Sequence, residues 1–427
     1  MVHREVCQMV LNTLYYTFSM DFPRAYLVLL LLVPVFLALQ FFLLFRFREH
    51  VRRRLPQQAY KRLLYGAAAF GLLCLIYPLA WRFVFGLRAE ELFFQVFRSL
   101  LAVWVFGSSG LALVLLGWDF FRRAQRSLLP PARVSPDFER RAFLRVGVGL
   151  AAAAPFYISG YGVIQGRRKF QMEDYDLALN ALSSGLAGFS IVHLTDIHAG
   201  PFMPAEELAE YVEAVNRLKP DLIALTGDFV STQAEEAGPC VATLAGLKAR
   251  YGIFACLGNH DAWAGAEDEL TRLFEANGVR VLRNDAVSLR VGNTVLNILG
   301  IDDLGIGGPD LSRALGLAQR EPGEVRLLLS HRPEVFPAAS RKGVEVVLSG
   351  HYHGGQVKLG YGPESLSVAR LLTPYAEGLF RLSRRSVPSA AGRKDSVLFV
   401  GRGVGITGLP IRINCPPQIA HLTLKRV

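Results

Sequence analysis

The hydrophobic and polar positions divide the chain into two parts with different patterns. Residues 1–165 contain long apolar stretches, whereas from Phe189 onward short apolar runs alternate with amphipathic segments. An apolar stretch of about 20 residues is long enough to cross a bilayer as a helix. The first part therefore predicts an all-α transmembrane helix bundle and residues 189–427 predict an α/β domain, with 166–188 as a juxtamembrane lead-in.

Four stretches of the first part have the length and composition of membrane helices. The first three contain no Asp, Glu, Lys or Arg, which favours an anchor over a transport path. The fourth is rich in Ala and Gly and has Pro155 near its middle. The stretches are residues 26–45, 63–81, 99–118 and 146–164.

The basic residues are concentrated in the membrane part. Residues 1–170 carry 22 Lys and Arg against 8 Asp and Glu, a net charge of +14, whereas the remainder carries a net −3. The loops 46–62 and 122–145 carry seven basic residues each, which places both in the cytoplasm by the positive-inside rule. With four spans, the α/β domain lies on the outer, periplasmic face of a bacterial inner membrane. If the fourth stretch does not span, the domain stays inside.

A pair of arginines stands directly before the fourth stretch. The segment Glu139-Arg140-Arg141-Ala142-Phe143-Leu144-Arg145 is similar to a twin-arginine export signal, which also precedes a mildly apolar stretch. The same residues fit the basic end of a cytoplasmic loop. The sequence leaves both interpretations open.

The apolar runs of the second part predict strands of a sheet that is covered on both faces. Segments 204–218 and 240–248 predict helices between them. Open α/β sheets bind ligands at the carboxyl ends of their strands, and polar motifs follow most of these runs. The predicted strands are 189–194, 221–225, 252–257, 294–301, 325–329 and 344–348.

The richest of these motifs is Gly350-His351-Tyr352-His353, which two further glycines follow. Alternate residues of an extended chain share a face, so two neighbouring imidazoles crowd unless a metal ion holds them. Imidazole, carboxylate and amide groups at the other strand ends are expected to converge on the same sheet edge. The candidate ligands are Asp196, His198, Asp228, Asn259, His331, His351 and His353.

These motifs resemble the calcineurin-like metallophosphoesterases. The family's pattern of Asp-x-His, Gly-Asp, Gly-Asn-His-Asp, a lone His and Gly-His-x-His is complete within residues 189–427. The resemblance implies a two-sheet sandwich flanked by helices, with a dinuclear metal site. It implies that the first metal is held by Asp196, His198, Asp228 and His353. The second would be held by Asp228 as the bridge, with Asn259, His331 and His351.

The resemblance also implies roles for the neighbours of Asn259. His260 would face the substrate and assist the leaving oxygen, with Asp261 behind it as the group that orients the imidazole. Two divalent ions activate a water between them for attack on phosphorus. A mixed His, Asp and Asn ligand set suits Mn, Fe, Zn or Ni and does not select among them.

Residues around the motifs are similar to a bacterial subgroup of membrane-associated phosphodiesterases, some of which hydrolyse the pyrophosphate of UDP-2,3-diacylglucosamine. The expected activity is therefore metal-dependent hydrolysis of a phosphodiester or pyrophosphate, with a lipid-linked substrate and membrane lipids as partners. The alternative is an inactive membrane sensor or scaffold. The net charge of −3 argues against nucleic acid as a partner. The supporting segments are 354–356, 401–403 and 408–417.

Four other features are expected to be structural. His193 is expected to be a core histidine, or a neighbour of the ligands, rather than a ligand. Asp302 and Asp303 close a strand at the same sheet edge and are expected to be turn carboxylates, with contact to the substrate as the alternative. The run from Gly403 to Gly408 matches a dinucleotide fingerprint, but no helix pattern follows it. Its glycines are expected to lie near the metal rim and to let the backbone approach the substrate. The five cysteines are expected to be small buried hydrophobes.

Overall fold

The computed structural model describes residues 22–66, 69, 72, 92–128, 138–180, 182–305, 307–362, 364–382 and 395–427. These residues form two compact units. The first contains residues 25–165 with 409–411, and the second contains 166–408 with 412–427. We call the first the membrane unit and the second the sandwich unit.

All regular secondary structure among the described residues of the membrane unit is helical. Three of its helices are long and apolar enough to cross a membrane, and they contain the first, third and fourth predicted spans. Residues 57–66 are also helical, but most of the second predicted span, 63–81, lies outside the described residues. The paired arginines lie in the first turns of the last helix. The helices are α1 (Phe22–Arg52), α2 (Leu92–Leu128) and α3 (Phe138–Tyr161), which continues as a π-helical turn over Gly162–Gly166.

Two glycines allow α2 and α3 to pack closely. A Cβ atom on Gly107 would lie 2.4 Å from the ring of Phe156, and one on Gly110 would lie 2.7 Å from Pro155. Small residues at helix contacts are typical of membrane proteins, where close backbone approach is the main source of attraction.

The sandwich unit contains fourteen strands, seven α-helices and four short 3₁₀ turns in its described residues. The strands are β1 (Gln171–Leu179), β2 (Ser190–Leu194), β3 (Leu222–Thr226), β4 (Ile253–Cys256), β5 (Val279–Val281), β6 (Asp285–Val291), β7 (Thr294–Gly300), β8 (Val325–Leu329), β9 (Val346–Ser349), β10 (Lys358–Leu359), β11 (Leu366–Ser367), β12 (Gly378–Leu382), β13 (Ser396–Val400) and β14 (Gln418–Arg426). The helices are α4 (Ala205–Leu218), α5 (Ala237–Leu244), α6 (Asn259–Trp263), α7 (Glu267–Ala276), α8 (Leu311–Leu317), α9 (Phe336–Arg341) and α10 (Ala369–Leu372).

Twelve of these strands form two mixed sheets of six. The first has the order β1-β14-β2-β3-β4-β5, and the second has the order β12-β13-β9-β8-β7-β6. Apolar side chains from both sheets meet in one buried cluster, for example Ile191 and Ala224 with Ile298, Leu327 and Leu348. This cluster confirms the predicted two-sheet sandwich.

Helices cover the outer face of each sheet. Helices α4, α5 and α7 bury apolar residues against the first sheet, and α8 and α9 do the same against the second. Both faces of each sheet are thus protected from water, which explains why the central strands read as continuous apolar runs. Cys240, Cys256 and Cys415 are free and buried, as expected, whereas Cys7 and Cys74 lie outside the described residues.

All six predicted strands are present, with ends that differ by no more than two residues. Strand β1 was not predicted, because its charged residues alternate along a segment that reads as a polar lead-in. It lies at the edge of the first sheet and pairs in parallel with β14. An edge strand needs only one apolar face, so its pattern is weak.

His193 lies inside the sandwich, between the two sheets. Its Nε2 is 2.7 Å from the Thr226 hydroxyl, and its ring meets Phe399 of the second sheet edge to face, with centroids 5.7 Å apart. Burial lowers the pKa of His193 to about 3. The imidazole is therefore neutral in the folded protein, in agreement with a core role.

A neutral buried histidine predicts acid sensitivity. The unfolded chain takes up a proton on His193 below its ordinary pKa of 6.5, but the folded chain does so only near 3. The free energy of unfolding should therefore fall with pH below about 6.5, by at most about 1.4 kcal/mol per unit. His193→Gln should remove this component when denaturant unfolding is measured from pH 7 to 4. A constant difference between wild type and variant across that range would contradict the assignment.

Candidate metal centre

The predicted ligands meet at the carboxyl ends of the central strands of both sheets. Asp196 and His198 follow β2, Asp228 follows β3, and Asn259 begins α6 just after β4. From the second sheet, His331 follows β8, and His351 and His353 follow β9. The described residues thus bring all seven candidates to one end of the sandwich.

The backbone at these positions is unusual. Nine described residues other than glycine have positive φ angles, and five of them are candidate ligands. A side chain makes this left-handed region costly, and such residues concentrate at functional sites that the surrounding fold holds in place. The five are Asp196, His198, Asp228, His351 and His353, with φ between 47° and 75°.

Two glycines permit the close approach of the ligand loops. A Cβ atom on Gly350 would lie 2.0 Å from the Thr195 hydroxyl and 2.2 Å from a carboxylate oxygen of Asp196. A Cβ atom on Gly258 would lie 2.2 Å from Oδ1 of Asp228. Any larger residue at either position would displace a candidate ligand.

Asp196, His198 and His353 form the first group of facing ligand atoms. Nε2 of His353 lies 3.2 Å from Oδ1 of Asp196 and 3.1 Å from Nε2 of His198. One ligand atom from each residue lies within 4.8 Å of the others. The backbone N–H of His351 also donates to the Asp196 carboxylate (3.0 Å), which joins the loops of the two sheets.

Asp228, His331 and His351 form the second group. Nε2 of His331 lies 3.2 Å from Oδ2 of Asp228 and 3.2 Å from Nδ1 of His351. The Nδ1–H of His331 donates to the carbonyl of Thr226 (2.7 Å), which turns Nε2 toward the carboxylate. Oδ2 of Asp228 is also 3.5 Å from Nε2 of His198. Asp228 therefore lies between the two groups.

The donor atoms fit a pair of divalent cations. Two imidazole nitrogens that face each other at 3.1–3.2 Å need a proton or a cation between them. Oδ1 of Asn259 is buried without a hydrogen-bond partner in the described part of the chain, as expected for an oxygen that awaits a ligand. Nitrogen and carboxylate donors together suit first-row transition metals and zinc.

The charges of the centre favour ionised carboxylates. Burial acts to raise the pKa of Asp228, but the charges of His331 and His260 outweigh it and hold that pKa well below its ordinary value. Burial likewise opposes protonation of His331, but the Asp228 carboxylate raises its pKa to about 10. Burial and His260 keep the pKa of His198 well below normal. The proton shared by Asp228 and His331 occupies a place that a cation can take.

His260 lies beside the first group, with its ring centroid 4.6 Å from that of His198. Its Nδ1–H donates to the carbonyl of Ser231 (2.7 Å), because a carbonyl can only accept. Nε2 is then the nitrogen that can exchange a proton. Trp263 packs edge to face against the ring, with centroids 4.7 Å apart.

The predicted role of Asp261 as the residue that orients His260 is wrong. Both oxygens of Asp261 accept hydrogen bonds from backbone N–H groups of Gly258, Asp228, Phe229 and Val230, at 2.7–3.1 Å. The carboxylate thereby holds the loop after β3 against the loop after β4. Asp261 therefore positions Asp228 rather than the ring of His260. Its side chain turns into the protein because these backbone N–H groups have their hydrogen-bond acceptor there.

Arg412 has a role that the sequence motifs did not reveal. Its guanidinium is fully buried and donates to the carbonyls of Gly403 (3.2 Å) and Gly405 (2.6 Å). It lies 3.3 Å from Nδ1 of His353. Gly403 lies close to Asp196, where a Cβ atom would approach to 2.7 Å. Arg412 therefore holds the glycine loop against the first group. A lone arginine inside an otherwise apolar segment was the available signal.

The carboxylates Asp302 and Asp303 are engaged in ion pairs. Nε of Arg332 lies 3.0 Å from Asp303, and Nε of Arg283 lies 3.1 Å from Asp302. Both carboxylates close the loop after β7, in agreement with the expected turn role.

Comparison with known proteins gives the following matches. A family model described as calcineurin-like phosphoesterase matches residues 189–355. The chain is 31% identical over 301 residues to the uncharacterized metallophosphoesterase YkuE of Bacillus subtilis, a match that covers 67% of this chain and 97% of that protein. It is 25% identical over 379 residues to the metallophosphoesterase Cj0846 of Campylobacter jejuni, with 86% and 94% covered.

A further relative combines the same domain with a membrane region. The chain is 29% identical over 289 residues to a transmembrane protein with metallophosphoesterase domain of Danio rerio, which covers 65% of this chain and 62% of that protein. Together with the three apolar helices, this match indicates membrane association. Among solved structures, a dimetal phosphatase from Danio rerio matches 56% of this chain and 93% of its own, with 12% identity and a TM-score of 0.32.

Replacement of Arg412 should weaken the first group. A lysine keeps the charge but lacks the planar fork that bonds several carbonyls, so Arg412→Lys should lower metal affinity by about 10–100-fold. Elemental analysis after dialysis against graded chelator concentrations measures the loss. Arg381→Lys is the matched control, because its guanidinium donates to a carbonyl at the exposed surface. Equal metal retention in both variants would contradict the role of Arg412.

Proposed function

Since this chain belongs to the calcineurin-like metallophosphoesterase family, we propose that it is a membrane-anchored phosphoesterase with a dinuclear metal centre. Its reaction would be the hydrolysis of a phosphodiester or a pyrophosphate, with a lipid-linked substrate as the favoured class. The observation that carries this proposal is the position of Asp228 between two groups of ligand atoms. A carboxylate with imidazoles on both sides is suited to bridge two cations.

The proposed ligand sets are those expected from the family. Asp196, His198 and His353 would hold one ion with Asp228, and His331, His351 and Asn259 would hold the other with the same carboxylate. Two divalent ions, of Mn, Fe, Zn or Ni, would neutralise the phosphate oxygens and lower the pKa of a bound water. The protein's own contribution is the rigid placement of these donors by αL backbone and close glycines.

His260 is proposed to serve the leaving group. Its Nδ1–H is held by the Ser231 carbonyl, so Nε2 is the atom that can pass a proton to the departing oxygen. The hydroxyl of Thr407 is 3.5 Å from Nε2 and can help to position it. Asp261 supports the site through the loop of Asp228 and is not proposed as a proton carrier.

An inactive sensor or scaffold is the rival function. Loss of activity usually requires loss of a ligand or of the space around it. Here every expected donor is present, and Asn259 keeps a buried oxygen free of hydrogen bonds within the described residues. The donor set therefore favours the enzyme.

We further propose that the sandwich unit lies on the outer face of a bacterial inner membrane. The seven basic residues in each of the loops 46–62 and 122–145 support this orientation through the positive-inside rule. The proposal requires all four predicted stretches to span.

Loss of one imidazole from the second group of ligand atoms should abolish activity. His351→Ala removes a nitrogen that faces His331 at 3.2 Å, so hydrolysis of a simple aryl phosphodiester should fall to background and bound metal should decrease. His421→Ala is the control, because this histidine pairs with Asp174 on the exposed surface. Turnover in His351→Ala equal to that of wild type would refute the dinuclear assignment.

Reporter fusions test the orientation. Alkaline phosphatase fused after Val427 should be active, and a cytoplasmic fluorescent reporter at the same position should be inactive. The opposite pair of results would place the sandwich unit in the cytoplasm and remove the fourth span.

A further inference from the structure

The exposed apolar side chains of the sandwich unit are concentrated in one short segment. Among the described residues of 167–427, nine large hydrophobic side chains are exposed, and five of them lie between positions 359 and 371. Single exposed apolar residues are common, but a contiguous group marks a surface that binds something. The five are Leu359 (76% exposed), Tyr361 (85%), Leu366 (70%), Val368 (42%) and Leu371 (67%). We call the described residues 357–362 and 364–372 the apolar hairpin.

The base of this hairpin is firmly attached to the sandwich unit. Strand β10 pairs with β11, and the Lys358 N–H donates to the carbonyl of Ile413 (3.0 Å). The Lys358 ammonium forms a fully buried ion pair with Glu377 (2.6 Å). Gly360 and Gly362 have φ angles of 101° and 83°, which allow the tight turn that projects Tyr361. The apolar side chains are therefore presented by an ordered element.

The same base packs against the loop of the metal centre. A Cβ atom on Gly355 would lie 2.7 Å from the Cβ of Ser367, in β11. Gly355 is two residues from His353, in the same short helical turn. A surface that binds the hairpin would therefore come close to the candidate active site.

The chain itself indicates what covers this surface. Three described helices are suited to span a membrane, and four residues separate the end of the last of them at Gly166 from the start of β1 at Gln171. The five steps from Gly166 to Gln171 reach at most about 18 Å, so the start of β1 is tethered close to any bilayer that the last helix crosses. Leucine and valine favour the acyl boundary and tyrosine the headgroup level. The charges of Glu364 and Arg370 pair with each other (3.0 Å), which leaves the apolar side chains as the main feature of the surface.

We propose that the apolar hairpin inserts its exposed side chains into the lipid–water interface and holds the candidate metal centre at the membrane surface. Substrates carried on lipids would then reach the centre directly from the bilayer. This second statement rests on the proposed function, whereas the insertion itself does not.

Insertion is tested without any enzymatic readout. The full chain carrying Cys7→Ser, Cys74→Ser and Tyr361→Cys is labelled with an environment-sensitive fluorophore and reconstituted in vesicles. Three buried cysteines remain in this protein. Any labelling of them is measured in the Cys7→Ser, Cys74→Ser protein that keeps Tyr361. We expect emission at shorter wavelength and quenching by lipids with spin labels on the acyl chain. The matched control is Leu317→Cys, at a 54% exposed position, where emission should match that in water.

Two outcomes would overturn the proposal. Water-like emission from both labelled positions would show that the hairpin does not enter the bilayer. Protection that grows with protein density, without quenching by the labelled lipids, would assign the surface to a second copy of the chain. If Tyr361→Cys lowers the thermal unfolding temperature, Leu366→Cys provides the same measurement on β11.

Activity tests the consequence for substrate. Leu359→Ser combined with Leu366→Ser should lower turnover of a vesicle-borne phosphodiester lipid by about tenfold or more, while a soluble aryl phosphodiester is cleaved at an unchanged rate. Leu317→Ser should change neither. If wild type cleaves no phosphodiester, the proposed function fails and the labelling result still stands. If wild type cleaves both substrates and the double variant loses neither, the role of the hairpin in substrate access is refuted.

Discussion

One buried carboxylate holds the two halves of the centre together. Asp228 comes from the first sheet, and its Oδ2 lies 3.2 Å from an imidazole of the second sheet, that of His331. A carboxylate in a dry interior is costly unless positive charge and hydrogen bonds surround it. Here the backbone N–H of His260 donates to Oδ1 of Asp228 (2.8 Å), and the Asp261 carboxylate accepts hydrogen bonds from the backbone around Asp228. The ends of both sheets therefore meet at a carboxylate that needs these hydrogen bonds and its contact with His331.

The strained backbone at the candidate ligands also serves to fix their positions. Five candidate ligands have left-handed backbone, and each such residue costs about 1–3 kcal/mol. That cost is sustainable because the loops lie on strands of a core buried on both faces. The glycines at positions 258 and 350 leave no room for the loops to relax. The donors are thus held in place by the protein before any ion binds, which favours rapid and specific binding.

Much of the centre was predictable because strand ends of an α/β domain converge by topology. Knowing that Asp196, Asp228 and His331 each follow an apolar strand was enough to place them together. The direction of a side chain is a different matter, since it depends on which backbone donors remain unsatisfied nearby. Asp261 was assigned to the wrong partner for this reason. Strand β1 escaped prediction because its pairing with β14 joins segments 247 residues apart. Arg412 bonds carbonyls only seven and nine residues away, but its role depends on how that loop folds around the guanidinium, which the sequence does not specify.

The place of β14 in the first sheet has a consequence for biosynthesis. This strand lies between β1 and β2, and the pair Asp174 and His421 joins positions 247 residues apart. At about 5–20 residues per second, synthesis of that interval takes roughly 12–50 s. During this time β1 and β2 each have one edge without a partner strand. The first sheet is therefore completed only when nearly the whole chain has been synthesised, so a ribosome stalled before residue 418 leaves a domain that cannot close.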